Sequence, residues 1–259
     1  MPRRMLRGER AYSVVSNRLH RVQPLAIAVA LLVTLALQPP VADVPGRRVP
    51  VGLRLATDLR GATAVTLPPE IPLFPLPEVV LFPGVHRPLL IYEPRYRAMI
   101  ADALKGDRII GTVLLRPGFE ADYEGRPPIY AVGCAGIIED YEQLPDGRYA
   151  IALRGLTTFR IVSEDQRKPY RLARVQAIPE LLKDDEQGPL STLRSRLTQL
   201  LNMVLPLGVE PPDPGLEDAD YINVTAQALD MPEAARQDLL ERNSVLARAR
   251  ALVERLAGR

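Results

Sequence analysis

The sequence predicts an α+β protein, an antiparallel β-barrel lobe followed by a C-terminal helix bundle. Two observations carry that prediction. Between residues 67 and 180, short apolar segments alternate with Pro, Gly and Asp-Gly punctuation, which is the rhythm of strands and turns. From residue 188 onward, the apolar period changes from about two to about 3.6, the spacing of helices. A chain of 259 residues, 47% hydrophobic and 25% charged, supplies a core of ordinary globular size. The boundaries read as a basic N-terminal segment at 1–66, a β-rich lobe at 67–180 and a helical lobe at 181–259, the last two forming one domain.

The N-terminal segment stands apart in charge. Residues 1–60 hold ten Arg and three acids, a local +7, which leaves 23 Lys+Arg against 28 Asp+Glu, or −5, in the rest. Six arginines precede the apolar run Leu25–Leu37, the arrangement of a signal peptide. The run is short for a membrane span, which needs about 20 apolar residues, and Pro40 spoils the cleavage site at Val41–Asp43. Three readings stay open: an export signal or short anchor, a disordered tail, or translation that begins at Val65. Residues 43–66 read as a linker rich in Arg, Pro and Gly.

In the β-rich lobe, Ile71–Phe74 is a strand fenced by Pro72 and Pro75, prolines that imply a sheet edge or a first-residue position. Val79–Phe82 is a short apolar segment, Pro83-Gly84 a turn and Pro88–Tyr92 a strand. Pro94 opens a helix at its first position. Tyr96, Met99, Ile100, Ala103 and Leu104 form the buried stripe of this helix, and Gly106 is expected to end it in the left-handed conformation. Strands follow at Ile109–Leu115 and Ile129–Ile138, with a polar loop, 117–128, between them. Asp146-Gly147 marks a hairpin. The return strand Tyr149–Arg154 is expected to break at Gly155, and further strands follow at Thr158–Val162 and Tyr170–Ile178.

In the helical lobe, Leu190, Leu193, Leu197, Leu200, Leu201 and Val204 define the first helix, which Pro206 and Gly208 end. Ala219–Leu229 is the second, Pro232 opens the third, and Ser244 caps a fourth whose face is Leu246, Ala249, Val253 and Leu256.

Few residues suit chemistry. The single cysteine, Cys134, reads as a small apolar residue of a strand, because a catalytic thiolate needs a histidine and only His20 and His86 exist. Gly106–Thr112 mimics the spacing of a phosphate-binding loop, but it lacks the lysine and runs into a strand. The acid clusters Glu139-Asp140-Glu142, Asp184-Asp185-Glu186 and Glu217-Asp218-Asp220 read as solvated or helix-start carboxylates. No catalytic residue, metal ligand or cofactor is expected. The acidic body argues against nucleic acid. Arg95, at a helix start, is expected to pair with an acid or to cap neighbouring carbonyls.

Three stretches in order, PLFPLPEVVLFPG, PLLIYEPRYRAMIADAL and DRIIGTVLL, resemble the substrate-binding domain at the N-terminus of the ATP-dependent Lon proteases. VGCAGIIEDYEQLPDGRYAIALRGLTTFRI resembles the same family's hairpin block, with Thr158 where the family's arginine stands, and INVTAQALDMPEAARQDLLERNSVLARARALVERL resembles its helical part. The resemblance covers residues 67–257 and implies a PUA-like β-barrel joined to a helix bundle. Because the sequence ends at Arg259, it also implies a stand-alone member lacking the ATPase and peptidase domains.

The function expected is non-enzymatic binding of unfolded or apolar polypeptide segments, in protein quality control, with polypeptide clients or a protease as partners. RNA binding through the barrel and a small-molecule or adaptor role are the alternatives. The expected lining is Phe82, Tyr92, Arg95, Tyr96, Phe119 and Tyr123, with Phe119 and Tyr123 the most exposed. A cytoplasmic location is expected, with export or membrane contact only through Leu25–Leu37; the oligomeric state is not legible.

Overall fold

The computed structural model describes residues 55–57, 63–180, 182–206, 209–242 and 244–258. The run Leu25–Leu37 lies outside them. Two three-residue strands, β1 (Leu55–Thr57) and β2 (Thr63–Val65), pair antiparallel within the stretch read as a linker; elements this short carry no alternation to detect.

Six further strands form one sheet: β3 (Glu70–Leu76), β4 (His86–Ile91), β5 (Ile109–Leu114), β6 (Val132–Gln143), β7 (Tyr149–Asp165) and β8 (Arg171–Ile178). Their order is β4-β7-β6-β5-β3-β8, and β8 pairs again with β7. That second pairing closes five strands into a ring and leaves β4 as a flap on the long strand β7. Helix α1 (Pro94–Ala103) lies between β4 and β5 in the chain. Among the described residues, the helical part comprises α2 (Gln187–Val204), α3 (Asp218–Ala228), α4 (Glu233–Leu240) and α5 (Val245–Ala257).

The sheet departs from the expected pattern at four places, each for a local reason. First, β3 and β5 run parallel, because the chain between them crosses over through β4 and α1. Second, β3 is interior despite its prolines. The Leu115 amide donates to the Leu76 carbonyl, so residues 72, 74 and 76 turn their backbone groups toward β5, and residues 71, 73 and 75 turn theirs toward β8. β8 pairs only residues 70–73 and β5 only residues 73–76. Pro72 and Pro75 therefore each point a donorless nitrogen to a side without a partner.

Third, Gly155 does not break β7. It sits where the Pro83–Gly84 turn presses on the strand. A Cβ at Gly155 would lie 2.0 Å from the Phe82 carbonyl oxygen, and Gly155 exchanges hydrogen bonds with Gly84 and Val85. Fourth, Gly106 does not adopt positive φ. Arg108 does so instead, at 59°, and its amide closes the helix end on the Ala103 carbonyl. The expected strand Ile129–Ile138 begins at Val132, with Ile129 joined to Leu115 by an isolated bridge. Gly147, by contrast, takes the positive φ that the Asp-Gly hairpin requires.

Bulges bend the long strands. The register slips beside Leu156, Glu139 and Val162, which lets the 17-residue β7 pair with β4 and β6 at one end and with β6 and β8 at the other. The ring is narrow and is filled by Ile71, Leu73, Ile109, Val113, Ala135, Phe159 and Ala173. Gly111 and Gly133 make room for the Phe159 ring, since a Cβ at either would approach it within 3 Å.

A second, larger core joins the outside of this ring to the helices. Phe82, Met99, Ile100, Cys134 and Leu153 belong to the same cluster as Leu190, Leu197, Ile222, Leu246, Ala249 and Leu252. The stripes expected on α1, α2 and α3 face it, although Val204 is 41% exposed. On α5 the buried residues are Val245, Leu246, Arg248, Ala249, Leu252 and Leu256, so the expected Leu246, Ala249 and Leu256 are in place, Leu252 replaces Val253 and an arginine enters the face. Ser244 caps α5 through its hydroxyl, which accepts the Ala247 amide at 3.1 Å.

Arg248 is 0% exposed. Its Nη2 donates to Glu180 at 2.5 Å, its Nε to the Leu239 carbonyl at 2.9 Å and its Nη1 to the Asn223 side-chain oxygen, while its guanidinium lies 5.2 Å from the Phe82 ring centre. The Asn223 amide donates in turn to the Pro83 carbonyl at 3.1 Å. One guanidinium thus ties α3, α4, α5, the β8–α2 connection and the Pro83–Gly84 turn together.

Removing one partner of a buried pair leaves the other unpaired, so Arg248→Met is expected to destabilise the fold by about 3 kcal/mol. The measurement is the urea unfolding midpoint. In the double variant Arg248→Met/Glu180→Gln, the loss should fall short of the sum of the two single losses.

Candidate functional site

The candidate surface lies where β4 hands over to α1. Strand alternation sends His86, Pro88 and Leu90 outward, and the row continues into Tyr92, which is 57% exposed. Pro94 then fixes the first turn of α1 with no side-chain cap at Glu93. The Glu93 carboxylate is therefore free to act elsewhere. It accepts from Arg95 Nε at 2.9 Å on one oxygen and from the Tyr123 hydroxyl at 2.7 Å on the other.

Arg95 fulfils both expectations for it, pairing with an acid and capping carbonyls. Its Nη2 donates to the Tyr123 carbonyl at 3.0 Å, and its Nη1 lies 3.4 Å from the carbonyls of Glu124 and Gly125. The guanidinium also sits 4.7 Å from the Tyr96 ring centre and 5.3 Å from that of Tyr123. This ion pair staples the 117–128 loop to the helix. Within that loop a single 3-10 turn, Phe119–Asp122, brings Phe119 to 6.2 Å from Tyr123, ring centre to ring centre, and both rings are half-buried.

Burial, followed by the Glu93 hydrogen bond, raises the Tyr123 phenol well above its usual range. Burial pushes Tyr96 up to about 12, and burial followed by the Glu93 charge also raises Tyr92. All three phenols stay protonated at physiological pH, and Tyr123 donates to Glu93 as a neutral phenol.

The structure divides the expected lining. Tyr92, Arg95, Phe119 and Tyr123 share this one surface. Phe82 does not: it is 0% exposed and lies under Arg248 in the shared core. Tyr96 is 6% exposed and packs against Phe74 at 4.7 Å, so its ring belongs to the core. Periodicity alone could not separate them, because a stripe that faces the core and a wall that faces a ligand have the same spacing. Glu93 was missed, although its place two residues before Arg95 in EPRYR is the signal that would have found it.

Other candidates are absorbed by the fold. Cys134 is fully buried, and burial drives its thiol far up, away from the reactive thiolate. Thr112, within the loop-like spacing, lies in β5 and donates its hydroxyl to the Cys134 carbonyl at 3.2 Å. Glu139 pairs with Arg154 at 2.5 Å and with His86 at 3.1 Å, and Asp218 pairs with Arg194 at 2.6 Å. Asp184, Asp185 and Glu186 form a 3-10 turn before α2. Among the described residues, no group of three His, Cys, Asp or Glu is placed to hold a metal ion, and no helix is long and apolar enough to cross a membrane.

This architecture, a closed strand ring sharing a core with a helix bundle, recurs in solved structures. The N-terminal domain of a Mycobacterium avium complex Lon protease matches with a TM-score of 0.57 at 18% identity, over 73% of this chain and 98% of that one. A Lon N-terminal domain protein from Xanthomonas campestris matches with a TM-score of 0.51 at 24% identity, over 71% and 97%. In sequence, Lon protease 2 of Myxococcus xanthus is 29% identical over 197 residues, and Lon protease of Anaeromyxobacter dehalogenans is 28% identical over 197 residues. Each alignment takes in 73% of this chain, which spans about a quarter of the length of these relatives (24% and 23%). The family model for the ATP-dependent protease La (LON) substrate-binding domain matches residues 70–258, and the chain belongs to that family.

Arg95→Met deletes the staple and leaves three carbonyls without their donor, at an expected cost of about 1–2 kcal/mol. Limited digestion with a Glu-specific protease checks it. Cleavage at Glu120 and Glu124 should become several-fold faster, with the rate at other glutamates unchanged.

Proposed function

We propose that the protein is a non-enzymatic polypeptide-binding module of the Lon substrate-binding type, holding unfolded or apolar segments in cytoplasmic protein quality control. The observation that carries the reading is the exposed apolar row at the end of β4. Leu90 is 47% and Tyr92 57% exposed, and the Tyr92 phenol neighbours Tyr123 of the stapled Phe119–Tyr123 pair. Large apolar side chains held on rigid elements offer contact area with little ordering cost, which suits a flexible client. Family membership supports the same reading. A non-enzymatic role is supported by the buried thiol and by the ion pairs that engage Glu139 and Asp218. The partners proposed are client polypeptides or a protease that receives them.

The full chain at micromolar concentration is expected to delay the aggregation of a chemically denatured model enzyme, followed by light scattering. Leu90→Ser/Tyr92→Ser should lose at least half of that delay with its thermal melt unchanged. A full chain that neither binds the denatured enzyme nor delays its aggregation overturns the proposal.

A further inference from the structure

Beside the staple, the structure holds a recess of about 170 Å³ between the start of α1, the end of the 117–128 loop and the β7–β8 turn. Arg95, Arg126, Lys168 and Arg171 line it together with Tyr96 and Tyr170, and no acidic side chain is part of its wall. The acids that balance these cations reach them from outside the lining. Glu93 holds Arg95 at 2.9 Å, and Asp102 holds Lys168 at 3.0 Å. Glu164 serves two arginines at once, Arg171 at 2.7 Å and Arg126 at 3.5 Å. A fourth carboxylate, Asp122, accepts the Arg126 amide at 3.1 Å, so the four cations are matched in number, and what the wall offers an anion is the N–H groups these pairs leave unused.

The wall is also rigid. Arg171 is 9% exposed and donates to the Pro127 carbonyl at 2.5 Å, Arg126 donates to the Asp165 carbonyl at 3.2 Å, and the Tyr170 hydroxyl donates to Asp102 at 2.8 Å. These bonds fix the cations without using all their donors, since a guanidinium has five N–H groups and an ammonium three. A concave wall of fixed cations with spare N–H donors complements a compact oxyanion.

Resting on the polypeptide-binding reading, we propose that this recess takes a carboxylate of the bound polypeptide, either the chain's C-terminal group or an Asp or Glu side chain. The recess has room for one carboxylate and a few attached atoms, and Arg95 belongs both to it and to the aromatic surface beside it. A client segment lying on Tyr92 and Tyr123 would present its acidic group here.

The test uses the full chain and three fluorescein-labelled ten-residue apolar peptides, read by fluorescence anisotropy. One has a free C-terminal carboxylate and no acidic side chain, one is C-terminally amidated with a single internal Glu, and one is amidated and neutral. At least one acidic form is expected to bind about five-fold or more tightly than the neutral form, as charge-assisted bonds to a partly enclosed carboxylate require. Preference for the free-acid peptide identifies a chain end, and preference for the Glu peptide identifies a side chain. The preference should vanish in Lys168→Gln/Arg126→Gln, two positions exposed enough to change without unfolding the chain, as a matching circular-dichroism melt would verify. Equal binding of all three peptides, or a preference that survives the double variant, overturns this inference alone. No binding by any peptide overturns the polypeptide reading and this inference with it.

Discussion

Arg248 is the point on which the two halves of the molecule depend. A guanidinium cannot shed its charge, so its complete burial is tolerable only while Glu180, Asn223 and the Leu239 carbonyl all hold their places. Those three partners come from a connection, a helix and a helix end, separate in sequence and joined in space by the shared core and by this one side chain. The apolar core would favour many packings of four helices on a barrel wall. The guanidinium penalises any of these that bury it away from its partners, because a desolvated cation is then left unsatisfied. The Asn223 amide extends the same selection to the Pro83–Gly84 turn, and that turn sits against Gly155 at a distance no side chain permits. Helix bundle, turn and long strand are thereby fixed as one unit.

The same logic, on a smaller scale and nearer to water, shapes the candidate site. Glu93 and Arg95 are each less than a fifth exposed, and together they bind a loop that has only one 3-10 turn of its own. The outward residues of β4 need no such help, since the strand ladder positions them. The surface therefore combines a rigid row, Leu90 and Tyr92, with a stapled pair, Phe119 and Tyr123, and the staple separates the aromatic side from the cationic recess.

Local pattern made much of this legible. The α1 stripe, the Asp-Gly hairpin, the Ser244 cap and the four-helix C-terminal part follow from periodicity and turn chemistry that act within a few residues. The misread features all depend on partners far along the chain. Gly155 looks like a breaker until Phe82 is brought against it from more than 70 residues away. Pro72 and Pro75 look like edge residues until two half-length neighbours are seen to spare their nitrogens. Phe82 and Tyr96 look like a ligand wall because core and groove share one spacing. Arg248 stood in plain view within a perfect stripe, Val245, Arg248, Ala249, Leu252 and Leu256, but a charge in such a stripe announces a partner without naming it.

Cys134 lies at the centre of the ring wall, opposite Thr112 on one side and Thr158 on the other, with no surface of its own. Enclosed in that way, the sole sulfhydryl neither cross-links nor oxidises while the chain is folded. The thiol chemistry of the domain is therefore indifferent to its surroundings: Cys134 would stay a free thiol in a reducing interior and in an oxidising exterior alike.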